Sequence, residues 1–292
     1  MNYLVKQSWQ CVLLKDVKGA SKGTVPVLGT KHRNRPLACS VSAGGRMDIK
    51  ESHIPYNGGT LWSCESGPKD ALPILLCGGG PGCCDYLEPV ANMIDNEYRV
   101  IRFEQRGCGR STADNRYDLY TAVEDIERIR KHYGIERWVA GGHSWGANLA
   151  LVYALTYPGR VIALLYIAGT GIHDNRHWIE EFYRNVDEIG EQLPDFAFPL
   201  NVEVNDEGNR TLREFGRRPD FYRSVSDLNV PALFVMAEKD IRPNWPAEQL
   251  ANLMPNAKIV IIKDAAHYIW FDKADKLSSV LSGFLYEQSQ HA

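Results

Sequence analysis

Pro73-Ile-Leu-Leu-Cys77 is a short, continuous apolar run that stops at Gly78-Gly79-Gly80-Pro81-Gly82. A strand with no polar alternation is covered on both faces, and such strands belong to parallel sheets flanked by helices. The form recurs. Arg99–Glu104 ends at Arg106-Gly107-Cys108-Gly109, and Trp138–Gly141 runs into Ser144. Val161–Ala168, Ala232–Ala237 and Lys258–Ile262 supply three more strands, and Thr60–Ser66 an earlier one. Helical stretches separate these runs. Asp118 to Tyr133 carries Leu119, Ala122, Val123, Ile126 and Ile129 at helical spacing, with Gly134 as its C-terminal stop. Ala147 to Tyr157 is a second helix, closed before Pro158, and Asp272 to Tyr286 a third. This alternation predicts a doubly wound α/β domain, a mostly parallel sheet of about eight strands flanked by helices.

One stretch breaks the rhythm. Residues 171–226 show no strand signal and contain an amphipathic helix with Trp178, Ile179, Phe182, Val186, Ile189 and Leu193 on one side. Turn-rich Asn205-Asp206-Glu207-Gly208-Asn209 follows, then an Arg-rich stretch from Arg210 to Arg223. An insertion here lies over the carboxyl ends of the strands, where open α/β sheets bind ligands, so a small cap is expected. The core is then expected to span 47–170 and 227–292.

Composition limits the function classes. With 44% hydrophobic and 24% charged residues, the 292-residue chain can bury a large core. Its longest apolar stretch, Val161–Ala168, is far short of the roughly 20 residues that a membrane-spanning helix needs, so no membrane partner is expected. Between Lys6 and Lys15 only Cys11-Val12-Leu13-Leu14 forms an apolar patch, too little for a secretory signal, and a cytoplasmic location is expected. Seven cysteines, odd in number and at no metal-ligand spacing, predict reduced thiols and no metal site. Cys83 and Cys84 are adjacent, with no base nearby to activate a thiolate, and are expected to be packing residues. The net charge of −3 hides a basic head: residues 1–46 hold eight Lys and Arg against the single acid Asp16. From Lys15 onward no aromatic residue interleaves those charges, as a base-stacking surface would need, so no nucleic-acid partner is expected. The head is expected to be a disordered extension, or sequence upstream of an initiator at Met47.

Gly142-His143-Ser144-Trp145-Gly146 lies where a predicted strand meets a predicted helix. Gly-x-Ser-x-Gly in that context places a serine on a sharp turn, with glycines that let the flanking backbones pack. The helix start also puts partial positive charge where an oxyanion would form. A serine hydroxyl is inert until a base takes its proton, so an acid and then a histidine should follow. Asp240 lies just beyond Ala232–Ala237 and His267 just beyond Lys258–Ile262, both in loops at the carboxyl ends of strands. Ser144, Asp240 and His267 are therefore the expected catalytic residues. Glu238 competes for the acid but sits nearer its strand, and Asp264 shares the loop of His267. His173 and His177 fall in the expected cap, and His143 occupies the variable position of the elbow. For the oxyanion, the amide of Trp145 is one expected donor and Gly80 the other, with Gly79 as the alternative.

Three motifs in this order resemble the proline iminopeptidase branch of the α/β hydrolases, serine peptidases of the S33 type. Gly78-Gly79-Gly80-Pro81-Gly82 is similar to that family's His-Gly-Gly-Pro-Gly loop. Glu104-Gln105-Arg106-Gly107-Cys108-Gly109-Arg110-Ser111 is similar to its Asp-Gln-Arg-Gly-x-Gly-x-Ser segment, and residues 142–146 to its Gly-x-Ser-Trp-Gly elbow. Gly78 and Glu104 depart from the family's histidine and aspartate. The resemblance implies the α/β-hydrolase fold and serine-hydrolase chemistry. It also implies a larger cap whose acids hold a substrate amino group. Here Glu180, Glu181, Asp187, Glu188 and Glu191 crowd the cap helix, either as such a site or as its solvated face.

The expected reaction is acyl transfer to water, which requires no metal or cofactor. Trp145, Trp178, Phe182, Tyr183, Tyr268 and Trp270 are expected to rim the pocket, with Trp178, Phe182 and Tyr268 touching substrate. Such a rim suits a small, partly apolar ester, carboxylesterase-like. A short peptide or amino-acid amide cleaved at its free amino end is the alternative substrate, and a lactone fits the same chemistry. A receptor with a hydrolase fold and little turnover is the alternative of another class. No sequence feature speaks to the oligomeric state.

Overall fold

The computed structural model describes residues 48–173, 176–190 and 194–290. The basic head, Glu191 and Leu193 lie outside the described residues. Eight strands form one sheet: β1 Lys50–Tyr56, β2 Gly59–Ser66, β3 Pro73–Cys77, β4 Arg99–Phe103, β5 Trp138–His143, β6 Val161–Ile167, β7 Ala232–Ala237 and β8 Ala257–Ile262. Their spatial order is β1-β2-β4-β3-β5-β6-β7-β8. The pairs β1–β2 and β2–β4 are antiparallel and the remaining pairs parallel, as the apolar runs from Pro73 onward predict.

Each inner strand feeds two cores by alternation. Trp138 and Ala140 of β5, Leu164 and Tyr166 of β6, and Phe234 and Met236 of β7 pack on one face. Val139, Leu165, Leu233 and Val235 pack on the other. Helices α2 (Leu119–His132), α3 (Trp145–Thr156) and α7 (Trp245–Leu253) cover the first face, while α1 (Glu88–Ala91) and α8 (Ile269–Ser289) cover the second. Helix α2 starts where Asp118 caps it, its carboxylate accepting from the amides of Tyr120 and Thr121. It stops at Gly134, whose φ of 64° closes the last turn. Helix α8 begins at Ile269, ahead of the expected Asp272, and kinks at Lys273. Helix α7 is not among the expected elements; it is nine residues long, with Pro246 in its first turn.

The loop after β4 is held by charge. Glu104, 1% exposed, accepts from the amides of Asp85 and Arg110 and from the Arg110 guanidinium. A Cβ at Gly109 would fall 2.3 Å from that carboxylate, which is why glycine stands there. Arg106 donates twice to Asp125 of α2, at 2.7 Å each, and once to Asp114, and its guanidinium lies 4.0 Å from the centre of the Tyr56 ring. One side chain thus ties the loop to α2 and β1.

Among the described residues three helices lie between β6 and β7: α4 (Arg176–Ile189), α5 (Val202–Gly216) and α6 (Phe221–Asp227). Helix α5 corrects the expectation of turns at 205–209. Asn201 caps it, accepting from the amides of Glu203 and Val204. Asn205, a turn former by type, is buried and donates to the Pro81 carbonyl at 2.7 Å. Gly208 faces Pro81, where a Cβ would come within 2.7 Å. Tertiary contact with the Pro81 loop therefore overrides local turn chemistry. Among the described residues no helix is long and apolar enough to cross a membrane.

Candidate active site

Ser144 sits between β5 and α3 with φ 58° and ψ −126°. A non-glycine residue held there stores backbone strain of about 1–3 kcal/mol, which the surrounding packing must sustain. The packing is tight: a Cβ at Gly142 would lie 2.3 Å from the Gly146 carbonyl oxygen, and one at Gly146 would lie 2.2 Å from that of Cys77. The elbow therefore places the Ser144 hydroxyl against the loop that follows β3.

His267 and Asp240 meet behind it. His267 Nδ1 and Asp240 Oδ2 are 2.5 Å apart. A carboxylate only accepts, so Nδ1 carries the proton and the neutral ring keeps its lone pair on Nε2. The other oxygen, Oδ1, accepts from the Arg242 amide at 2.9 Å and from its guanidinium at 3.4 Å. Burial alone would raise the Asp240 carboxyl, but His267 and Arg242 overcome this and hold it below the ordinary range. His267 is 1% exposed. Burial first, and then the positive charge of Arg242, push its imidazole below the ordinary histidine value, against the pull of Asp240. Glu238 instead accepts from the Asp264 amide on the exposed rim, and Asp264 pairs with Lys239.

The sign of the His267 shift gives a pH expectation. A base must be neutral to accept a proton, so the base role expected of His267 is lost only as pH falls through the lowered value. The acid limb is expected below pH 6.5, the ordinary histidine value, and Arg242→Gln should move it upward by removing a cation. A pH–rate profile checks both; a limb above 6.5, or one that Arg242→Gln leaves in place, would contradict them.

A chain of hydrogen bonds that the sequence does not suggest runs beside Ser144. His143 Nε2 lies 3.0 Å from the His267 carbonyl oxygen, which can only accept, so Nε2 carries the proton. His143 Nδ1 is then an acceptor, and the Tyr86 hydroxyl donates to it at 2.7 Å. The Tyr86 oxygen in turn accepts from the Gly79 amide at 2.8 Å. Burial drives the His143 imidazole well below its ordinary value, and the neutral form is the one this chain requires. The consequence bears on one expectation: the Gly79 N–H already donates to Tyr86 and is not free for an oxyanion. Gly79 serves by its missing side chain, since a Cβ there would lie 2.6 Å from that of Ser144. Gly80 and Trp145 both line the cavity. The Trp145 amide, in the first turn of α3, has no acceptor within the helix.

The cavity joins Ser144 and His267 to residues of the inserted helices. Trp178 and Phe182 of α4 stack 5.2 Å apart with ring planes 4° from parallel, and with Tyr268 they line it. Trp270 departs from the expected rim: it is buried, packed against Tyr86 and His143. His173 lines the cavity, stacked on Trp178, whereas His177 is exposed. Cys83 lines it too, burial raising its thiol well above the ordinary value, while Cys84 is buried. The acids of α4 face elsewhere. Glu180, Asp187 and Glu188 are exposed, and Glu181 accepts from Trp245 Nε1 at 3.2 Å. Among the described residues no Asp or Glu lines the cavity, but Arg213 and Arg242 do. Arg242 was legible as a charge two residues beyond Asp240; Tyr86, far away in sequence, had no such signal. Among the described residues no group of three or more His, Cys, Asp or Glu is placed to hold a metal ion.

A family model described as the alpha/beta hydrolase fold matches residues 73–202, a span that holds Ser144 and stops short of Asp240 and His267. The proline iminopeptidase of Neisseria gonorrhoeae is 38% identical over 126 residues, covering 41% of this chain and 38% of that protein. The match thus spans little more than a third of that relative's length. The proline iminopeptidase of Lactobacillus delbrueckii subsp. bulgaricus is 24% identical over 294 residues, covering 83% of this chain and 99% of that one. Among solved structures, a carboxylesterase of Nitrososphaera gargenis superimposes with a TM-score of 0.67 at 17% identity, covering 83% of this chain and all of that one. The proline iminopeptidase of Mycobacterium smegmatis does so with a TM-score of 0.64 at 19% identity, covering 83% and 99%.

Proposed function

Because this chain has the α/β-hydrolase fold, we propose that it cleaves an ester bond of a small, partly apolar substrate through an acyl-enzyme on Ser144. The observation that carries this is the meeting of the Ser144 elbow, the Asp240-bound His267 and the Gly80–Trp145 loop edges on one apolar cavity. In the first half of the reaction His267 Nε2 takes the Ser144 proton as Oγ bonds to the carbonyl carbon. The oxyanion so formed is met by the amides of Gly80 and Trp145. His267 then passes the proton to the leaving alcohol as the ester bond breaks, and water repeats the sequence to release the acid. Asp240 stabilises the imidazolium at each stage without itself taking the proton.

Amide cleavage at a free amino end is the second reading, favoured by the relatives named proline iminopeptidase. What weighs against it is the outward placement of the α4 acids. A cytoplasmic setting accords with the five described cysteines, all free thiols.

A fluorophosphonate probe tests the nucleophile: covalent label on Ser144 is expected, and a folded protein that takes none would mean a receptor rather than an enzyme. 4-Nitrophenyl acetate should be turned over faster than proline 4-nitroanilide. The reverse order, lost on neutralising Glu180, Glu181 and Glu188, would establish the aminopeptidase instead.

A further inference from the structure

We propose that the cavity takes a substrate carrying a carboxylate besides its scissile bond, recognised by Arg242 and Arg213; the proposal rests on the serine-hydrolase reading of the same cavity. Arg242 lies in the loop between β7 and α7, its side chain 13% exposed. One of its guanidinium nitrogens is 3.4 Å from Asp240 Oδ1, and its central carbon lies 6.0 Å from the centre of the Phe182 ring. A guanidinium has five N–H groups, and among the described residues Asp240 takes the only side-chain hydrogen bond that Arg242 makes. A cation so far removed from water, with donors left over beside a ligand cavity, favours a bidentate anion.

Arg213 approaches the same cavity from α5, one turn after Asn209, and keeps contacts of its own. Asp240 accepts from Arg242 without itself lining the cavity, and no described carboxylate does, so the charged groups that the lining presents to a ligand are the two guanidiniums. An ammonium group would meet like charge in a low-dielectric space, while a carboxylate would meet opposite charge. Trp178, Phe182 and Phe196 supply an aromatic slot beside these cations. The substrate class that matches is an aromatic or alkyl ester bearing one carboxylate, the reverse of a substrate with a free amine.

Two pairs of esters test this. 4-Acetoxybenzoate against its methyl ester puts the charge on the leaving group, and the 4-nitrophenyl half-ester of suberic acid against 4-nitrophenyl octanoate puts it on the acyl group. In at least one pair the charged ester is expected to win by about tenfold or more in kcat/KM, mainly through KM, as a charge-assisted hydrogen bond implies. Arg242→Gln and Arg213→Gln should each shrink that ratio by about tenfold, whatever they do to turnover as a whole. 4-Phenylbutyrate should inhibit competitively, and 4-phenylbutylamine about tenfold more weakly or not at all. The proposal is overturned if both neutral esters do as well as the charged ones. It is equally overturned if the substitutions slow both members of a pair alike, since Arg242 would then serve Asp240 alone. Fluorophosphonate labelling of Ser144 in the same preparation separates such a result from failure of the hydrolase reading, which alone would abolish the label.

Discussion

Ser144→Ala and His267→Ala are each expected to lower kcat/KM for 4-nitrophenyl acetate by about ten-thousandfold or more, with the fold intact. The size follows from the division of labour: without Oγ no acyl-enzyme forms, and without Nε2 the hydroxyl keeps its proton. What survives is the contribution of binding and of the oxyanion donors, so the double variant should fall little below either single one. The acid is tested alongside. Asp240→Asn removes the carboxylate that both orients His267 and balances its charge, so a large loss is expected. Glu238→Ala touches only a rim contact to the Asp264 amide and should leave turnover nearly unchanged. If the two losses prove equal, the acid has been misassigned. Thermal melting of each variant separates lost chemistry from lost structure.

The largest effect on stability is expected at Arg106. Its guanidinium and the Asp125 carboxylate are both almost wholly buried and joined by two hydrogen bonds of 2.7 Å. Arg106→Ala would leave Asp125 without its cation, and such a stranded buried charge costs about 3–5 kcal/mol. It would also remove the contacts to Asp114 and the Tyr56 ring, leaving the loop after β4 held to β1 by the Tyr56 hydroxyl on the Thr112 carbonyl and by Arg110 near Glu51. Urea unfolding should show a lower midpoint at unchanged slope. A loss below about 1 kcal/mol would mean that water or a rearranged Arg128, which lies 3.8 Å from Asp125, takes over the charge.

Much of the site was legible because its parts lie where one-dimensional signals are strong. The strands before Ser144, Asp240 and His267 are apolar runs with sharp ends, so each residue's position just past a strand could be read without knowing any contact. The glycines of the elbow were legible for the same reason, since a turn that tight excludes a Cβ. Helix α5 was not, because Asn205, Gly208 and Asn209 are turn formers whose helical state depends on Pro81, more than a hundred residues earlier. Nor does position show that Gly79, the alternative to Gly80 as an oxyanion donor, gives its amide to Tyr86.

The sequence by itself determined the sheet, the elbow and the order of the three expected catalytic residues, because hydrophobic period and glycine placement are local properties of the chain. Only the tertiary structure decided what surrounds Ser144. It left Glu180, Asp187 and Glu188 of α4 exposed, turned Trp270 into the core, threaded Tyr86 and His143 beside Ser144, and set Arg242 beside Asp240. These are contacts between residues far apart in sequence or on opposite faces of one helix. Residue type alone does not fix such contacts; which side chains share a cavity follows from how the helices between β6 and β7 settle on the sheet.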